Sequence, residues 1–173
     1  SPEAPVPVVW VESESFMPGG ASNVANNIAA LSGKVYLSGI IGNDKSADIL
    51  TAELKKRGID LGGVIVDGER PTTLKTRIIA HHQQVVRVDR ERIMPIEDNL
   101  CDQILSFVRQ KIDDIDALVI EDYGKGLITA RLLTEIIPLA KRHKKVITVD
   151  PKIDHFSYYK GITSITPNRQ EAE

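Results

Sequence analysis

Cysteine, tryptophan and an excess of either charge are what this sequence has little of: one Cys and one Trp in 173 residues, and 22 Lys+Arg against 24 Asp+Glu. A single thiol, Cys101, excludes an internal disulfide and any site built from several cysteines, so a reducing, cytoplasmic setting is expected. Its surroundings, "EDNLCDQILSFVRQ", read as an amphipathic helix on which a buried structural thiol is expected rather than a nucleophile. The balanced charge gives no basic surface for nucleic acid and no acidic tail, so any anion site must be local. No apolar run approaches the ~20 residues of a membrane helix, and no charged-then-apolar leader opens the chain. Neither nucleic acid nor a membrane is an expected partner. The length and the 42% hydrophobic content suit one ordinary core. The sequence starts at Ser1 and stops at Glu173, where "TPNRQEAE" begins a new helix, so a fragment of a longer protein is expected.

What is present is an alternation of strands and helices. "FMPGGASNVANNIAALSG" carries Val24, Ile28 and Leu31 at helical spacing, with Gly33 as the expected left-handed stop. "KVYLSGIIG" reads as a strand, and "DKSADILTAELKKRGID" as a helix ending at Gly58. Downstream, "CDQILSFVRQKI" reads as helix, "DALVIED" as strand, "TARLLTEIIPLAKRHKK" as helix, and "VITVD" and "ITSITP" as strands. This order implies a parallel sheet covered on both faces. Pro138 is expected to kink or interrupt its helix. Two β-rich stretches without an intervening helix, "PVPVVWVESES" and "PTTLKTRIIAHHQQVVRVDRE", are expected to stand apart as antiparallel strands, the second as a hairpin turning near residues 81–84. No internal repeat and no low-complexity tract is found.

The paired glycines Gly19 and Gly20 lie at the entrance of the first helix, where unpaired N–H groups and the positive end of the helix dipole can receive hydroxyl or anionic groups. Asn23 adds a side chain that donates and accepts. The competing reading is a plain turn with a polar first-turn residue. In a strand, Lys75 and Arg77 project to one face, forming either a charged edge or an anion clamp that Arg87 on the return strand would join. Two strands end in acids, at Asp122 and Asp150, where open parallel sheets bind ligands; Lys125 in "YGKG" would swing over the same crevice. Asp150 is read equally well as punctuation. The four histidines, among them His143 and His155, show no metal-ligand spacing.

"GGASNVANNIAALSG", "IGND", "DYGKG", "DPK" and "TPNRQE", in that order, resemble the ribokinase-like (PfkB) carbohydrate kinases over almost the whole chain. "SPEAPVPVV", "TTLKTRII", the Gln-Gln before "VVRVD" and "DYGKG" narrow the resemblance to the heptose 7-phosphate kinases of bacterial ADP-heptose synthesis. The resemblance implies an α/β fold: a three-layer sandwich with a mostly parallel sheet and a small antiparallel β lid, truncated at both ends. The lid strands would lie at about 5–16 and 72–90, and the core at about 19–66 and 97–173. The implied cofactors are ATP and Mg²⁺, and the implied partners a sugar-phosphate substrate and a second subunit paired through the lid. Gly19, Gly20 and Asn23 would hold sugar hydroxyls, with Asp122 and Lys125 also on the sugar side. Lys75, Arg77 and Arg87 would suit a substrate that already carries phosphate. Asn168 and Glu171 match the Asn-x-x-Glu element that organises the phosphate end and reaches Mg²⁺ through water, and Lys152 sits where the nucleotide side begins. The Gly-Ala-Gly-Asp element with its catalytic base does not occur up to Glu173, and the first strand with its sugar-binding acid is also missing, so no catalytic residue is assigned and the chain by itself is expected to be inactive. Alternatives are another ribokinase-like sugar or nucleoside kinase, or a non-catalytic sugar-phosphate-binding module.

Overall fold

In the computed structural model, which describes residues 8–80 and 83–172, helix α1 (Ala21–Ala30) opens the ordered core. Its end is closed by two backbone bonds, Gly33 N–H to the Ile28 carbonyl and Ser32 N–H to the Ala29 carbonyl, each 2.9 Å. The left-handed residue is therefore Ser32 (φ 67°) and not Gly33 as expected. Gly33 is needed for another reason: a Cβ there would lie 2.5 Å from Ile28 Cγ2. Since the helix stops at Ala30, Leu31 falls outside the apolar stripe and is 85% exposed, while Ala25 is the residue buried.

Strand β1 (Tyr36–Ile41) is followed by α2 (Lys45–Lys56), whose cap Asp44 accepts the Ala47 N–H at 3.0 Å and the Thr72 N–H at 2.9 Å. As expected, α2 stops at left-handed Gly58. Strand β2 (Asp60–Val66) runs parallel to β1 and was not legible, because Gly62 and Gly63 weaken the strand pattern. The Phe107 ring explains them: a Cβ on Gly63 would meet Phe107 Cδ1 at 2.5 Å.

Strands β3 (Leu74–Ala80) and β4 (Gln83–Arg90) pair antiparallel as the expected hairpin. Gln83 and Gln84 belong to the strand rather than the turn, and residues 81–82 lie outside the described residues. The strand expected at 5–16 does not form within residues 8–16, which have no regular structure, and residues 5–7 lie outside the described residues. A β-rich segment needs a neighbouring strand for its N–H and C=O groups, and here Trp10 stands 89% exposed.

The remainder is α3 (Asp98–Lys111), β5 (Ala117–Glu121), α4 (Ala130–Arg142), β6 (Val146–Asp150), β7 (Ser164–Ile165) and the short α5 (Arg169–Ala172). The order β5-β6-β7 is parallel throughout, separate from the β1-β2 pair. Helix α4 runs unbroken through Pro138, against expectation. Pro138 points outward, and the Thr134 carbonyl, which has no N–H to meet at 138, lies on the exposed side of the helix.

Leu105, Ile112, Leu133, Ile137, Ile147 and Val149 are sealed between α3, α4 and the β5–β6 pair, each contributing about 1.5–3 kcal/mol by burial. Cys101 belongs to this cluster, and burial pushes its thiol up, as a structural cysteine requires. Among the described residues, only the Leu118, Ile120, Ile147 and Val149 side of this sheet is covered. On the other side Val119 and Val146 remain exposed, so the expectation of two covered faces holds for one face of β5-β6-β7.

Candidate active site

The C-terminal ends of β5 and β6 deliver the 122–126 loop and Asp150 to one edge of the molecule, and the entrance of α1 meets them there. Gly20 (φ 52°) has no side chain to hold off the Tyr123 ring, whose nearest atom would be 3.4 Å from a Cβ. Among the described residues no side chain caps α1 and no acid stands in its first turn, which leaves its positive end without an acidic partner there. Asn23 is exposed, and its side-chain amide makes no hydrogen bond among the described residues. Gly19, Gly20, Asn23 and the "DYGKG" loop are thus brought together.

The hairpin supplies the facing wall. Register places Lys75 opposite Asp89 and Arg77 opposite Arg87, with Thr76, Ile78, Val86 and Val88 on the other face, as the alternation predicts. Lys75 Nζ donates to Asp89 at 2.8 Å and to Glu91 at 3.4 Å, and Lys125 Nζ reaches the other oxygen of Glu91 at 2.7 Å. Arg87 pairs with Asp89 at 3.0 Å, whereas Arg77 has no ion pair among the described residues. The Lys125 ammonium, with that of Lys75, holds the Glu91 carboxyl below its usual range, and Lys75 does the same for Asp89. The three hairpin cations, joined by Lys125 from the facing loop, outnumber the carboxylates of Asp89 and Glu91, so this cluster is net positive.

Asp122 is buried, 4% exposed. Its Oδ2 accepts the Tyr159 hydroxyl at 2.6 Å and lies 2.5 Å from His155 Nδ1, while Oδ1 accepts the Gly124 N–H at 2.9 Å. Both oxygens of Asp122 thus face donors of the protein itself. Burial, and then the bond to Asp122, push the Tyr159 phenol far up, so it stays a donor. Lys152 lies along the same loop, its side chain 3.4 Å from where a Gly124 Cβ would be. Glu121 and Asp150 are register partners at the strand ends, and burial together with Asp150 raises the Glu121 carboxyl.

Asn168 and Glu171 form a reciprocal capping box at the start of α5. Asn168 Oδ1 accepts the N–H groups of Gln170 and Glu171 at 2.9 and 3.1 Å, and Glu171 Oε2 accepts the Asn168 N–H at 2.9 Å. No group of three or more metal-ligating side chains occurs among the described residues.

Glu91, Tyr123, His155 and Tyr159 were not singled out from the sequence. Glu91 was accessible, because alternation carries it to the face of Arg87 and Asp89. Tyr159 was not, since nothing local links it to an acid 37 residues earlier.

The pattern of the pfkB family carbohydrate kinases matches residues 3–173. The chain belongs to that family. Over all 173 residues it is 49% identical to the bifunctional protein HldE of Helicobacter pylori strain J99 and 43% identical to that of Helicobacter hepaticus. It spans 37% and 36% of those relatives' lengths. Among solved pfkB-like structures, Escherichia coli phosphofructokinase-2 in its tetrameric inhibited form superposes with TM-score 0.68 at 20% identity, covering 97% of this chain and 55% of that one. Sa239 gives 0.74 at 20%, covering 98% and 55%, and an Arabidopsis thaliana ribokinase complexed with ribose and ATP gives 0.68 at 13%, covering 95% and 53%. At these identities the structures establish the shared fold. No helix among the described residues is long and apolar enough to cross a membrane.

Proposed function

We propose that this chain is the sugar-side portion of an ATP-dependent kinase that phosphorylates the anomeric hydroxyl of D-glycero-D-manno-heptose 7-phosphate, giving the 1,7-bisphosphate used in ADP-heptose synthesis. The observation that carries the reading is the hairpin's cationic face, Lys75, Arg77 and Arg87, meeting Lys125 across the cleft. An unphosphorylated sugar would leave Arg77 without an anion, whereas a phosphomonoester dianion suits a net positive wall. The HldE relatives support the sugar class, and the family implies ATP with a divalent metal.

In this reading the open end of α1 receives sugar hydroxyls through backbone N–H groups and Asn23, while the hairpin cations and Lys125 fix the phosphate end and orient the anomeric hydroxyl. Glu171, with one oxygen left over from the capping box, would hold Mg²⁺ through water. Lys152 would lie toward the nucleotide. Bound ATP supplies the transferred phosphoryl group with the metal balancing its charge. The apolar hairpin face would pair with a second copy, and the protein would act in the cytoplasm.

The deciding experiment gives the full-length protein ATP and, in parallel, the heptose 7-phosphate and its dephosphorylated form. Turnover confined to the phosphorylated sugar is expected. Equal turnover of both would favour a general sugar kinase, and binding without turnover a non-catalytic module.

A further inference from the structure

We propose that Tyr159 and His155 are positioning residues for Lys125, acting through the buried carboxylate of Asp122. The resemblance places Asp122 among substrate contacts, yet its side chain is 1% exposed and sits among donors of the protein itself. What the acid does is visible in its partners. Oδ1 accepts the Gly124 N–H, which fixes the left-handed turn at Gly124 (φ 63°) immediately before Lys125. An Asp accepting from the N–H two residues on is a common local turn, and alone it leaves the carboxylate free to rotate.

Here rotation is stopped from the other side. The Tyr159 hydroxyl at 2.6 Å and His155 Nδ1 at 2.5 Å hold Oδ2, and both come from the Ile153–Tyr158 turn and its end, after β6. Two segments that leave neighbouring parallel strands are thereby tied at one carboxylate. Lys152, from the second segment, lies along Gly124 and reinforces the tie. Beyond Gly124 the loop is held by Arg70, which donates to the Lys125 carbonyl at 3.4 Å, and by the Ile96 N–H on the Gly126 carbonyl at 2.9 Å. The backbone on both sides of Lys125 is therefore pinned, and its ammonium meets Glu91 at 2.7 Å.

Loss of the Tyr159 hydroxyl leaves a buried carboxylate short of a donor, and rotation of that group toward water releases the Gly124 N–H. The consequence falls on Lys125 and so, on the proposed function, on the phosphate end of the sugar.

The test is a double-mutant cycle in the full-length protein, reading affinity for the sugar 7-phosphate, beside hydrogen exchange of the Gly124 amide without ligand. Tyr159→Phe and Lys125→Ala are each expected to weaken binding about tenfold, and the double variant to bind no worse than Lys125→Ala alone. Exchange at Gly124 is expected to quicken about tenfold in Tyr159→Phe while β6 amides stay protected. Additive losses would overturn the proposal, because Tyr159 would then act independently of Lys125. Unchanged exchange at Gly124 would overturn it whatever the sugar data show. If the unaltered protein binds no sugar phosphate, the functional reading fails, and the exchange result still decides the positioning role. Should Tyr159→Phe not fold, His155→Ala at its more exposed position takes its place in both measurements, with the same expected and overturning results.

Discussion

Arg77 on β3 and Arg87 on β4 stand directly opposite each other on one face of the hairpin. Like charges at a cross-strand pair are destabilising, and among the described residues only Arg87 has a carboxylate beside it, Asp89 at 3.0 Å. Arg77→Ala is therefore expected to leave the melting temperature unchanged or slightly higher. The same variant should lose about 1.5–3 kcal/mol of affinity for the phosphorylated sugar and little for its dephosphorylated form. Calorimetric titration of both sugars checks this, and equal losses would return the arginine pair to a charged edge.

The opposite face of the hairpin carries Ile78, Val86 and Val88 with Thr76, and both valines are exposed. Exposed apolar strands call for cover, which the proposed lid pairing would supply from a second copy of the same hairpin. Val88→Glu is expected to convert a dimer of the full-length protein to monomer in sedimentation at micromolar concentration. A wild-type monomer under those conditions would reject lid pairing.

The parts of this fold that could be read in advance are those whose signal is local. Gly58 ends α2 because a left-handed stop is a one-residue matter, and Lys75 and Arg77 share a face because strand alternation is a two-residue matter. The misreadings are non-local. Residues 8–16 have strand composition but no pairing neighbour among the described residues, and β2 hides behind two glycines whose reason, Phe107, lies on α3. In the candidate site, Asp122 was recognised by its place at a strand end, but its orientation is set by Tyr159 and His155, which only the folded chain brings to it.

The Phe107 contact makes a stability prediction. Gly63→Ala would set a Cβ 2.5 Å from Cδ1 and 2.6 Å from Cε1 of the ring, and 2.9 Å from the Leu37 carbonyl. Overpacking of this kind costs about 1–3 kcal/mol. Phe107→Leu in the same chain is expected to recover part of the loss, read as a denaturant midpoint. No recovery would mean that the Leu37 carbonyl, not the ring, excludes the side chain.

Glu91 gives a pH dependence with a definite sign. Its carboxyl is lowered by the Lys125 hydrogen bond, against the opposing effect of burial, and by the charges of Lys125 and Lys75. A group lowered in the folded state stabilises the fold above its unfolded pKa, and that contribution is lost as pH falls through the folded value. The relevant window thus begins near the ordinary Glu value of 4.5 and extends below it. Melting curves of the native protein and Glu91→Gln should differ by a constant gap above about pH 5 and converge in acid. A gap that persists undiminished to about pH 2 would show that Glu91 stabilises by packing rather than by charge.

Asn23 separates binding from stability more cleanly than any other residue of the cleft. It sits in the first turn of α1, beside the glycine entrance, with an exposed side chain that bonds to no described residue. A structural polar residue at a helix start earns its place by capping, and α1 has no side-chain cap, so Asn23→Ala has no cap to remove. The melting temperature is expected to stay within a degree or so of the native value. If the α1 entrance receives sugar hydroxyls, the same substitution removes one donor and one acceptor from a site that closes around the ligand. The expected cost is about 1–3 kcal/mol of sugar affinity with ATP affinity unchanged. Titration of each ligand beside a melting curve resolves the two effects. Unchanged sugar affinity would move the sugar away from α1 and leave the hairpin cations and Lys125 as the anchor to be re-examined.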